Sequence, residues 1–71
     1  MAKNTGNYRL SAEGRRAHNA LCANLKLIHQ VNDKEAGRQF EEGDIEGGTE
    51  SMRVAAAAAA DAKKYGCRWA S

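Results

Sequence analysis

Residues 49–66 read TESMRVAAAAAADAKKYG, and the fold class turns on them. Ala55 to Ala60 is an unbroken run of the residue with the highest intrinsic helix propensity. Thr49 stands before it as an N-cap, and Glu50 places an acid in the first turn, where the helix dipole is positive. Lys63, Lys64 and then Gly66 mark the other end. The stretch therefore reads as a helix over about 49–65. On a helical wheel Met52, Ala55, Ala56, Ala59 and Ala62 form a face of mainly small residues, with Arg53, Asp61 and Lys64 opposite. A face without bulk lets a second helix approach closely, although low-complexity helix filler would produce the same letters.

A helix to meet it lies upstream. Ser11 precedes Ala12 and Glu13 and is placed to cap a helix that continues to Val31 without proline. Gly14 costs about 1 kcal/mol relative to alanine, so the first turn is weak. At 100° per residue Leu10, Ala17, Leu21, Leu25, Ile28 and Val31 gather on one face, with Arg15, Arg16, Asn19, Lys26 and Gln30 opposite. Ala17, Leu21, Asn24, Ile28 and Val31 also follow steps of four and three, a heptad-like seam with one polar residue in its middle, a device that can fix register.

The apolar pattern breaks at Asn32 and Asp33, because Ala36 and Phe40 fall off that face. Asp33 can cap a short helix through Glu42, supported by neighbouring opposite charges; a kinked continuation is the alternative. Gly43 to Gly48 has neither a helical nor a strand period and reads as a Gly-rich acidic loop. The expected architecture is all-α: a helical hairpin of two main helices (about 11–31 and 49–65) with a short intervening helix (about 33–42), assembling as a dimeric helical bundle. It forms one small domain over 1–71, with a flexible basic arm at 1–9 and a C-terminal tail at 67–71.

Size favours association. A chain of 71 residues can bury only about 60% of its unfolded surface. Large apolar residues are few, and much of the 42% hydrophobic content is alanine, which releases little apolar area on burial. A homodimer that uses Met52, Ala55, Ala56, Ala59 and Ala62 is the expected remedy, with Tyr65 and Trp69 either closing the end of the core or anchoring a partner.

The formal charge of +2 is small, but its distribution is uneven. Lys3, Arg9, Arg15, Arg16 and Lys26 stand early against Glu13 alone, acids dominate 33–50, and the tail turns basic again. Arg9, Arg15 and Arg16 could meet phosphates in a nucleic-acid-binding alternative, but the acidic centre opposes it. No stretch approaches the ~20 apolar residues of a membrane span, and Met1 to Ser11 lacks a signal-peptide core, so the expected location is the cytoplasm.

Cys22 and Cys67, far apart and without CxxC spacing, read as free thiols in a reducing compartment, with a bridge between them as the alternative. His18 and Cys22 stand one helical turn apart, the only metal-like spacing, but a complete site would need two more ligands, from Cys67 or a second chain. Boundary residues of an amphipathic helix explain the pair, and neither metal nor cofactor is expected. No catalytic set is recognisable: the Gly43, Gly47 and Gly48 stretch is acidic and would repel phosphate, and the serines and histidines have no triad spacing. Ile45-Glu46-Gly47-Gly48 resembles the end of a double-glycine leader of secreted bacterial peptides; a glycine pair in a loop explains the same four letters. The functional expectation is a small non-enzymatic helical protein–protein interaction module, an adaptor, regulator or inhibitor of a larger protein, with no membrane partner.

Overall fold

The structure is a computed structural model that describes residues 11–71. The basic arm at 1–9, Arg9 and Leu10 lie outside the described residues. Two helices make the fold: α1 over Ala12–Glu41 and α2 over Ile45–Lys64, followed by a single 3₁₀ turn at Arg68–Ala70. The helices pack against each other as a hairpin, and the described chain is a rod of 55 × 17 × 15 Å. At 1.5 Å per residue α1 is about 45 Å long and α2 about 30 Å.

Ser11 caps α1 as expected, its side chain accepting from the Gly14 amide at 3.0 Å. The expected break at Asn32 and Asp33 is absent, and the separate helix at 33–42 is instead the last third of α1. Asn32 bonds back to the Ile28 carbonyl oxygen at 2.8 Å, a pattern compatible with an unbroken helix. Arg38 bridges Glu35 and Glu42, the latter at 2.7 Å, along the exposed side of the same segment. Ala36 and Phe40 had left the first apolar face because α1 presents a different face to α2.

The turn is shorter than the glycines suggested. Only Glu42 to Asp44 separate the helices, with Gly43 at φ +85° supplying the left-handed residue. Asp44, not Thr49, caps α2 by accepting from the Gly47 amide at 2.9 Å, so most of the expected 43–48 loop is the helix's first turn. A Cβ at Gly48 would come within 2.5 Å of the Phe40 ring. The pair Gly47-Gly48 is therefore a packing device at the helix start, which gives a physical reason for the letters that resembled a leader.

At the far end Gly66, at φ +78°, turns the chain back, and Cys67 joins Cys22 in a disulfide with Cα atoms 5.5 Å apart. The expectation of free thiols is overturned; the hairpin brings together residues separated by 45 positions in sequence. Trp69 folds back, its Nε1–H donating to the Cys22 carbonyl oxygen at 2.8 Å and its ring tilted against His29 at 5.5 Å between centroids.

Candidate interaction surface

The core shows why a surface matters. The buried apolar residues are Ala36, Ala55, Ala58, Ala62 and Cys67. At roughly 0.8 kcal/mol for each methyl-sized group, four alanines contribute little to stability. What orients the helices is a set of specific contacts between small and polar residues. On α2 the buried line is Gly48, Ser51, Ala55, Ala58 and Ala62. On α1 the line facing it holds His18, Cys22, Leu25, His29, Asn32, Ala36 and Gln39, all buried or half-buried.

Alanine on α2 leaves its backbone within reach, and α1 uses it. His29 Nδ1–H donates to the Ala55 carbonyl oxygen at 2.9 Å, which assigns the proton to Nδ1, since the carbonyl can only accept. The orientation of the Gln39 amide that satisfies both neighbours donates from Nε2 to the Gly47 carbonyl oxygen at 2.9 Å and to Ser51 Oγ at 2.7 Å. Among the described residues no buried side-chain nitrogen or oxygen is left without a partner.

The heptad-like seam expected from the sequence is one residue out of phase with this contact. Ala17, Leu21, Asn24, Ile28 and Val31 are each exposed, and each is followed by the residue that faces or borders α2: His18, Cys22, Leu25, His29 and Asn32. One residue is 100° of rotation, so the apolar stripe lies on the flank of the rod. Its large side chains keep much of their surface in water: Leu21 37%, Ile28 42%, Val31 55% and Leu27 58%.

The expected partner face on α2 is divided between inside and outside. Ala55 and Ala62 are buried against α1 and Ala59 is half-buried, so the centre of that face is already covered by the chain itself. Met52, Ala56 and Tyr65 remain exposed, while Trp69 is half-buried, bonded to the Cys22 carbonyl and tilted against His29. Arg15 and Arg16 are exposed near the start of α1. The sequence reading missed Leu27 as a surface residue of the stripe; its place beside Asn24 and Val31 on the wheel was the available signal.

The depression lined by Val31, Lys34, Glu35, Gly37, Arg38 and Glu41 is built from α1 alone around the missing side chain of Gly37, and it is open to solvent. Beside it Arg38 holds the Glu35 carboxyl below its ordinary range, first by hydrogen bonding and then by charge. In the disulfide-bonded form, no group of three or more His, Cys, Asp or Glu among the described residues is placed to hold a metal. Among the same residues no helix is long and apolar enough to cross a membrane. Comparison with protein-family models, with curated proteins and with solved structures finds no match to this chain.

Proposed function

We propose that this chain is a small non-enzymatic helical interaction module, an adaptor, regulator or inhibitor, and that it docks through the exposed apolar flank of α1. The observation that carries the reading is Leu21, Leu27, Ile28 and Val31 standing in one exposed stripe on a rigid helix. The largest apolar patch on a small protein is often a functional surface. Two copies face to face would need to bury about 1,000 Å² in total to reach the lower limit for a specific interface.

A second copy is the first partner this reading names. Asn24 lies mid-stripe, and its amide both donates and accepts, so an identical amide across a two-fold axis would satisfy it. The dimer expected from the sequence is thereby moved from the alanines of α2 to the flank of α1. The cytoplasmic setting goes with this reading only where the cysteine pair is reduced. Sedimentation at micromolar concentration tests the reading: wild type should be dimeric, and Leu27→Lys with Val31→Lys should be monomeric with unchanged helicity. A monomeric wild type whose stripe also gives no crosslink to a host protein from a photoreactive residue at position 27 would overturn it.

A further inference from the structure

We infer that, once reduced, the cysteine pair and His18 form a binding site for a soft divalent metal ion such as zinc, which replaces the disulfide as the staple between α1 and the C-terminal segment. Two placements carry this. In the disulfide-bonded hairpin the Cα atoms of Cys22 and Cys67 are 5.5 Å apart, with Gly66 turning the chain back and Trp69 bonded to the Cys22 carbonyl, and an ion shared by the two sulfurs would restore that arrangement after reduction. His18 lies one helical turn before Cys22, with its Nε2 3.6 Å from Cys22 Sγ. Two ligands of one tetrahedral zinc, a thiolate at about 2.3 Å and an imidazole nitrogen at about 2.0 Å, sit about 3.5 Å from each other. The histidine therefore already stands at the spacing that a shared ion would impose.

The sulfurs complete the set when they part. Two thiolates on one such ion are about 3.8 Å apart, a separation that side-chain rotation can supply while the backbones stay where they are. The bonded form cannot serve, because each sulfur is joined to the other and neither is a thiolate, in keeping with the absence of a three-ligand group there. A dithiol reductant supplies two electrons and two protons to the disulfide and is itself oxidised to a disulfide. Metal binding then displaces the two thiol protons to solvent. Cys22, Cys67 and His18 give three ligands, and a water completes the tetrahedron.

The chain has need of such an exchange. A domain of this size has a small core and gains from a disulfide, a metal or a partner chain, and its buried apolar residues are four alanines and Cys67. In a reducing compartment the disulfide does not persist, whereas a site of two thiolates and an imidazole forms only after reduction. The same residues thus staple the tail under either condition.

The test uses the full chain, reduced with dithiothreitol, freed of reductant under argon and titrated with Co²⁺ as the probe. Expected are one ion per chain, thiolate-to-cobalt charge transfer and the intense visible bands of tetrahedral Co²⁺, together with a gain in helicity on addition. His18→Ala should shift the visible bands and weaken binding by at least about tenfold. Cys67→Ser should abolish the paired-thiolate signal, and the oxidised chain should give none. Absence of the bands in reduced wild type would overturn the inference. So would bands that His18→Ala leaves unchanged, or binding that brings no gain in helicity, since each places the ion on an unfolded or sulfur-only site. Because helicity is read along with the bands, a variant that fails to fold when reduced is scored by whether the ion restores its helix.

Discussion

Two faces of α1, one residue out of phase, have opposite characters. The face towards α2 carries His18, Cys22, His29, Asn32 and Gln39 with only Leu25 and Ala36 among them, a mostly polar composition that resembles a surface, and it is the inside. The flank carries Leu21, Leu27, Ile28 and Val31, a composition that resembles a core, and it is the outside. Apolar periodicity thus shows that a helix has a face to bury without showing which neighbour buries it. Within this chain the neighbour is an alanine helix, whose small side chains reward close approach and backbone hydrogen bonds over bulk. The bulky face is left for something else.

The largest effect should come from cutting the inner face's covalent tie. Closing a loop of this length contributes about 4 kcal/mol in the chain-entropy account, against about 3–5 kcal/mol available from a core in so small a domain. Cys67→Ser should therefore leave the metal-free chain largely unfolded at 25 °C, as read by circular dichroism and urea titration. If it instead melts like wild type, the inner face is held by its polar and alanine contacts alone and the contrast between faces is weaker than described.

A smaller effect distinguishes the inside of α2 from its outside. Ala58 is buried against α1 and Ala57 is exposed. Ala58→Leu forces bulk into a close helix contact and should cost about 1–3 kcal/mol. Ala57→Leu, of similar helix propensity, should stay within about 0.5 kcal/mol. Equal melting of the two variants would show that the helices are not as closely seated as the buried alanines imply.

The smallest effect lies on the outer side of α1. Arg38 lowers the Glu35 pKa, so the folded state binds that proton less readily than the unfolded chain does. The contribution of the pair is present above the ordinary carboxylate pKa and is lost as pH falls through the lowered value. Because both groups are exposed, the change in stability should be barely measurable. A carboxyl titration followed by NMR should nonetheless show Glu35 below its ordinary range, and Arg38→Gln should return it there. An unchanged titration in that variant would mean the bridge is not populated.

Much of this fold was legible in the letters. Helix propensity in Ala55 to Ala60, the Ser11 cap, the positive-φ glycine at Gly66 and the absence of proline require two helices and little else. The disulfide was half legible: a hairpin that turns near Gly43 sets Cys22 opposite the end of α2, but spacing in sequence alone carries no such sign. The missed turn has a local reason. Glycines at 47 and 48 signal a loop unless a side chain needs their space: at Gly48 it is the Phe40 ring, eight residues away, and at Gly47 the side chains of Asp44 and Gln39.

What the sequence by itself determined is that the chain is helical, that its two long segments carry faces, and that bulky residues are too few for a conventional core. Only the tertiary structure decided which face is inside. That choice depends on the partner's shape: with alanine opposite, the seam of His29, Gln39 and Cys22 gains hydrogen bonds and a covalent link that Leu21, Ile28 and Val31 could not make. A rotation of one residue along α1 separates the two outcomes, and periodicity read from one helix alone does not distinguish them.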